Sequence, residues 1–404
     1  MNQIISILLL VLIVAVPARA EKKQPKYDLE AEMPADALRL HIGDAAPDFS
    51  LKGVDGKTYT LADFTNAPVL MVAFLSNHCP YSHAAESRLL PLYAEMKSQG
   101  LAVAAINPNS PDGVGIYELG YSKYNDSYDE MKLYARDQGF TFPYLYDGDT
   151  QKTAKAYGDV CTPEVFIFDR NRKLCYMGRL DDSPYAETNT VTVTDARNAI
   201  VELLAGKPVA VPVTKPFGCS TKWLENKGSI VKQNEKWEST PVTIDSIDEA
   251  GVAALVRNDT KQLRLINIWA TWCVPCVEEF PNLVTLTRQL QNRNFEMITI
   301  SLDDPKDQLK VLPFLQKQHA ALPGRLTRIV EQEGRSTDNY LFNGKADALQ
   351  KILDPEWPGP LPYTIIVAPG GRIIYRHTGP FNFAEVQAKL VDQLGRYYNP
   401  ETNN

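Results

Sequence analysis

Two cysteines separated by two residues, Cys273-Val274-Pro275-Cys276, carry the clearest chemical potential in this 404-residue chain. A thiolate attacks a disulfide, and a second thiol within reach closes an intramolecular disulfide and expels the product. The first thiol must ionise near neutral pH. A helix N-terminus favours that through its unpaired N–H groups and positive dipole end. The surrounding pattern places the pair at such a position. Leu263-Arg264-Leu265-Ile266-Asn267-Ile268 reads as a buried strand. Phe280, Leu283, Val284, Leu286 and Leu290 then recur at helical spacing between Val277 and Gln291. Pro275 suits a first helical turn, where its missing N–H costs nothing. The same spacing serves half of a zinc site, which needs a second Cys/His pair at ligand spacing. Downstream only His319 and His377 follow, far apart, so thiol chemistry without a metal is the reading.

The elements around the pair occur twice. Pro68–Leu75 reads as a buried strand running into Asn77-His78-Cys79-Pro80-Tyr81-Ser82 and a helix to about Gln99, followed by a strand at Leu101–Ile106. Cys161-Thr162-Pro163 precedes the strand Glu164–Phe168, the strand Leu174–Gly178 and the helix Thr194–Ala205. Later, strand Phe295–Leu302 and helix Lys306–Gln318 lead to Leu361-Pro362, strands at Ile365–Val367 and Arg372–Arg376, and helix Phe383–Tyr397. Cys79 to Pro163 and Cys273 to Pro362 span nearly equal lengths, which predicts a tandem duplication. Alternating strands and helices predict α/β units, each a mixed central sheet flanked by helices. The expected boundaries are residues 42–205 for the first domain, 206–238 for a linker stiffened by Pro208, Pro212 and Pro216, and 239–398 for the second. Residues 107–127, rich in Gly, Asn, Ser and Tyr, read as a surface insertion.

Trp272-Cys273-Val274-Pro275-Cys276 followed by Glu279-Phe280-Pro281 closely resembles the thioredoxin fold, in particular the TlpA/ResA-like extracytoplasmic thiol–disulfide oxidoreductases. The resemblance covers roughly residues 242–398. It implies Cys273 as the attacking thiolate, Cys276 as the resolving thiol, and Glu279 as a carboxylate able to take the proton from Cys276. It implies that Pro362 is a cis proline facing the pair, with its neighbour Leu361 and exposed Trp272 contacting a bound polypeptide, while Trp269 belongs to the core. Pro47-Asp48-Phe49, Asn77-His78-Cys79-Pro80-Tyr81, Cys161-Thr162-Pro163 and Gly218-Cys219-Ser220-Thr221-Lys222-Trp223 resemble the redoxin, peroxiredoxin-like branch of the same superfamily. Ser82 stands where a resolving cysteine would, so Cys161, beside the presumed cis Pro163, is the expected partner of Cys79. That bond would be either redox-active or structural. Ser76 fits the peroxidase pattern, but Val72 and Pro163 replace its proline and arginine. Cys175 and Cys219 either pair with one another or stay buried thiols, and sequence alone fixes no connectivity.

Composition narrows the partners. A net charge of −7 argues against nucleic acid. Ile4–Val16 is apolar and Ala18-Arg19-Ala20 fits a cleavage site, so residues 1–20 read as a secretory signal peptide and the protein as exported, to a periplasm-like compartment. The expected function is disulfide exchange with protein substrates as a reductase, without a bound cofactor, supplied with electrons by a membrane-embedded or soluble thiol donor. The alternatives are a thiol peroxidase whose first domain is recycled by the second, and a client-binding module without turnover.

Overall fold

The computed structural model describes residues 28–395. The signal-peptide reading falls on residues 1–20 and lies outside them. Among the described residues no helix is long and apolar enough to cross a membrane.

The first domain begins with a hairpin, β1 (Ser50–Gly53) and β2 (Thr58–Thr60), and continues through β3 (Val69–Phe74), α1 (Pro80–Met96), β4 (Leu101–Asn107), α2 (Tyr128–Gln138), β5 (Tyr144–Tyr146) and α3 (Lys152–Tyr157). Short β6 (Cys161–Thr162) precedes β7 (Glu164–Phe168), β8 (Leu174–Gly178) and α4 (Asp195–Leu204). The sheet runs β2-β1-β5-β4-β3-β7-β8. β3 is parallel to β4 and antiparallel to β7. Every residue of β3 is buried, because both faces of the sheet are covered and a central strand must then be apolar throughout.

Residues 206–238 are not a free linker. Thr214 N–H bonds the Met177 carbonyl, and β9 (Cys219–Ser220) pairs antiparallel with β6. Trp223 is buried in the first domain's core. Only α5 (Lys227–Glu238) crosses over, inserting Trp237 into the second core, where Arg288 stacks on its ring. Proline spacing suggests stiffness but cannot report the apolar anchors that tie the segment down.

The second domain has β10 (Asp245–Ile247), α6 (Glu249–Arg257), β11 (Leu263–Trp269), α7 (Val274–Leu290), β12 (Phe295–Ser301), α8 (Gln308–Lys317) and α9 (Thr327–Gln332). It ends with β13 (Asn339–Phe342), α10 (Ala346–Leu353), β14 (Tyr363–Val367), β15 (Ile373–Thr378) and α11 (Phe383–Leu394). Its sheet order is β10-β13-β12-β11-β14-β15. The run β5-β4-β3-β7-β8 therefore repeats as β13-β12-β11-β14-β15, with the same parallel and antiparallel neighbours. The fold is two tandem thioredoxin-like domains.

The 107–127 stretch is also more than a surface insertion. Asn107, Asn109 and Asp126 are fully buried and hydrogen-bonded together. The 3-10 turn Ile116–Tyr121 docks on the second domain at the C-terminal end of α7 and on α11. Gln387 donates to the Leu119 carbonyl at 3.1 Å and Arg293 to the Tyr121 hydroxyl at 2.7 Å. Polar composition mimics an exposed loop when the polar groups satisfy one another.

Candidate active sites

In the second domain β11 delivers the chain to the mouth of the site, and Cys273 caps α7 with extended backbone while Pro275 occupies its first turn. Cys273 and Cys276 form a disulfide, with Cα atoms 5.3 Å apart. The two cysteines are not equally buried. Cys273 retains 7% exposure and Cys276 1%. Trp272 and Val274, each 66% exposed, stand on either side of Cys273. The loop before the pair is tied by Asp303, which accepts from the Thr271 N–H at 2.8 Å and the Thr271 hydroxyl at 2.5 Å. Asp303 was not singled out from sequence. A lone Asp after a strand carries no pattern, and only the strand order brings it beside Thr271.

Glu279 is one helical turn beyond Cys276 and on the same side of α7. It is buried beneath the pair's helix rather than displayed as a surface charge beside Glu278. Its Oε1 accepts from Asn267 Nδ2 and its Oε2 from the Phe381 N–H, each at 3.0 Å. Burial raises its pKa to about 7, outweighing the two hydrogen bonds that favour the ion. A carboxyl poised there exchanges a proton at neutral pH.

The Leu361–Pro362 peptide is cis. The Pro362 carbonyl accepts from the Gly379 N–H at 2.8 Å, which fixes the turn into β14. Trp357 is buried, stacks on Tyr363 with centroids 5.1 Å apart, and donates its indole N–H to Pro360. Asp354 accepts from the Tyr363 hydroxyl at 2.6 Å and from Arg376 at 2.5 Å. The segment 354–360 thus braces the cis-proline turn by packing.

In the first domain Cys79 caps α1 in the same way, with Pro80 in the first turn. The Thr162–Pro163 peptide is cis, matching Leu361–Pro362. Cys79 is fully buried and its Sγ lies 3.1 Å from the Thr162 carbonyl oxygen. His78 is buried rather than facing solvent, and its Nδ1 makes a short ion pair with Asp126. Burial opposes the charge on His78, but Asp126 outweighs it and the imidazole pKa rises. Burial also pushes the Cys79 thiol up. The Cys219 side chain, the His78 charge and the Ser82 and Cys219 N–H groups overturn that and bring it down to about 6.

The thiol that meets Cys79 is therefore Cys219, not Cys161. Successive residues of a strand face opposite ways. Thr162 turns its hydroxyl to Ser76 at 3.0 Å, and Cys161 lies among Asp159 and Glu164. Burial and those carboxyls push the Cys161 thiol well up. Cys161, Cys175, Cys219 and Cys79 are all unbonded, and Cys175 sits on the edge strand β8 with no cysteine partner. Sequence reasoning missed Cys219 because the β6–β9 pairing joins segments far apart in the chain. Among the described residues no group of three or more His, Cys, Asp or Glu could hold a metal ion.

Comparison with known proteins agrees with this geometry. Residues 42–177 match the AhpC/TSA family model and residues 255–390 the Redoxin family model. The thiol-disulfide oxidoreductase ResA of Geobacillus thermodenitrificans is 25% identical over 148 residues, covering 37% of this chain and 75% of that protein. The thiol:disulfide interchange protein HelX of Rhodobacter capsulatus is 29% identical over 133 residues, 33% of this chain and 61% of its own length. Further ResA proteins match over about half of their length, 55% and 51% in two cases. A solved structure of a hypothetical protein from Sinorhizobium meliloti is 36% identical, covers 46% of this chain and 97% of its own, and has a TM-score of 0.40. The chain is a tandem thioredoxin-fold protein, an AhpC/TSA-type domain followed by a Redoxin-type domain, and it is similar to the ResA-type thiol–disulfide oxidoreductases.

Proposed function

We propose that the protein reduces disulfides in protein substrates outside the cytoplasm through Cys273 and Cys276. The observation that carries this is the asymmetry of the pair: a cysteine at the helix cap that keeps slight exposure, and a more deeply buried one a turn away from a carboxyl whose pKa is about 7. Cys273 attacks the substrate disulfide and forms a mixed disulfide. Glu279 takes the proton of Cys276, which then attacks Cys273 Sγ and releases the reduced substrate. Trp272, Val274 and the Leu361 backbone beside cis Pro362 form the rim on which an extended polypeptide lies. A thiol donor, membrane-embedded or soluble, returns two electrons to the disulfide. Export follows from the signal-peptide reading of residues 1–20 and agrees with the ResA-like resemblance.

The test is a pair of substitutions. Cys276→Ser should accumulate a mixed disulfide on Cys273, and Cys273→Ser should abolish reduction of a protein disulfide. Normal turnover by Cys276→Ser would refute the assigned roles.

A further inference from the structure

The segment after α4 lays a cysteine on the first domain's capping cysteine, whereas the sequence of the second domain holds no cysteine after Cys276. β9 pairs with β6 so that Cys219 stands opposite Thr162, the residue whose carbonyl lies against Cys79 Sγ. The Cys219 side chain and N–H lie close enough to Cys79 to act on its thiol, beside the Thr162 carbonyl 3.1 Å from Sγ. The seat is built for this approach. A Cβ on Gly218 would come within 2.1 Å of the Thr162 carbonyl oxygen, so only glycine lets the segment lie so close. Phe217 packs edge-on against Tyr81 of α1. On the far side, the Lys222 N–H bonds Asn109 at 2.8 Å, its ammonium pairs with Glu118 at 2.5 Å, and Trp223 is buried.

We propose that Cys79 and Cys219 form a second redox couple, opened and closed by thiol–disulfide exchange in which Cys219 is the sulfur a partner reaches and Cys79 is the buried leaving and resolving sulfur. Cys79 is fully buried beneath the segment, whereas Cys219, although its thiol packs against Cys79, keeps part of its surface in solvent. In the reducing direction one thiolate of a dithiol donor attacks Cys219 Sγ. The S–S bond to Cys79 breaks and Cys79 departs as a thiolate. The donor's second thiolate then attacks the donor sulfur bound to Cys219, forming the donor disulfide and releasing Cys219, which takes up a proton. Two electrons pass from the donor to the Cys79–Cys219 bond. Oxidation by a disulfide runs these steps backwards, with Cys79 resolving a mixed disulfide on Cys219. The lowered Cys79 thiol suits the leaving role, because a thiol of lower pKa leaves faster. The Cys79 side chain and burial push the Cys219 thiol well up, so Cys79 is the more readily ionised of the two. His78, paired with Asp126 and with its pKa raised, adds a charge that favours the Cys79 thiolate. Cys161 has no part in the exchange.

The experiment uses the full chain equilibrated in glutathione buffers of increasing oxidising ratio, quenched in acid, alkylated and mapped by mass spectrometry. A Cys79–Cys219 linked peptide should appear with the ratio, and persist in Cys161→Ser and in the Cys273→Ser/Cys276→Ser double variant. With oxidised glutathione, Cys79→Ser should carry a mixed disulfide on Cys219. Cys79 in Cys219→Ser should be modified at least about tenfold more slowly, since burial restricts access. The wild-type map requires no variant to fold. A Cys79–Cys161 link, a reduced Cys79 and Cys219 when Cys273–Cys276 is fully oxidised, or faster modification of Cys79 than of Cys219 would each overturn the proposal. None of these outcomes bears on the Cys273/Cys276 roles.

Discussion

Glu279→Gln separates a proton-transfer carboxyl from a structural one, and its effect can be worked out from the site. The Glu279 pKa rises from 4.5 to about 7 on folding. Between those values the folded state binds more protons than the unfolded state, so stability falls as pH rises, and it levels off once both states are ionised. The buried ion costs about 3 kcal/mol above pH 8, from roughly 2.5 pKa units at 1.36 kcal/mol each. Glutamine keeps the shape without the charge. Its carbonyl can accept from Phe381. Its amide can donate to Asn267 Oδ1, which is buried without a partner in the ionised arrangement, once the Asn267 amide turns over. Tyr375, the titratable neighbour that senses Glu279, is pushed up to about 12 by burial and stays neutral across this range. Glu279→Gln should therefore match wild type near pH 3.5, below both values, and exceed it by about 3 kcal/mol at pH 9, or roughly 6–12 °C in the melting temperature of the second domain. The comparison is made on oxidised protein, so that no thiol of the pair titrates. The same variant should resolve mixed disulfides more slowly and lose the step near pH 7 in its exchange rate. Parallel stability curves for the two proteins would refute a pKa raised by burial.

Other consequences are open to direct measurement. Trp272→Ala should leave stability within about 0.5 kcal/mol, because the ring is exposed, yet raise KM for a protein disulfide about tenfold and spare a small disulfide. Asp303→Ala removes both bonds to Thr271 and should cost about 1–3 kcal/mol in second-domain unfolding while loosening the Trp272 loop. Gly120→Val should undock the domains, since a Cβ there meets the Gln289 carbonyl at 3.0 Å and Leu290 at 3.1 Å; scattering should show a larger radius with both melting transitions retained. Docking at Gln289 also sets the route between the two sites. The 13 residues from Cys276 to Gln289 rise about 20 Å along α7. Electron transfer between the second-domain pair and the first domain should therefore depend on protein concentration, and a concentration-independent rate would contradict the docked arrangement.

The cysteine-headed helices, the paired cis prolines and the duplicated strand order were all legible in the sequence. The helices and the strand order rest on local pattern, apolar runs, helical spacing and a proline after the cysteine, while the cis prolines follow from the family resemblance. What escaped depends on contacts between distant segments. Arg264 interrupts the apolar run of β11 and gives no hint of its burial. Its guanidinium pairs with Glu296 at 2.6 Å and Glu333 at 2.7 Å, and those partners come from other elements. The charge is tolerated only because of them. Short β10 and β13 carry too few residues for periodicity to register. From sequence, Cys161 is the expected partner of Cys79 because its loop, beside Pro163, faces the active-site helix. Strand alternation turned it away, and a β-pairing across 57 residues supplied the other thiol.

The central claim is that Cys273 and Cys276 work as a reductant. Val274 and Pro275 place no cation between the two sulfurs, and the nearby buried carboxyl of Glu279 does not favour a thiolate. The reduced form therefore lacks the stabilisation that makes a couple strongly oxidising. The decisive measurement is the reduction potential of this pair, read by mass spectrometry across dithiothreitol and glutathione buffers. A value near thioredoxin's, about −270 mV, is the predicted result, and one near −120 mV would contradict it.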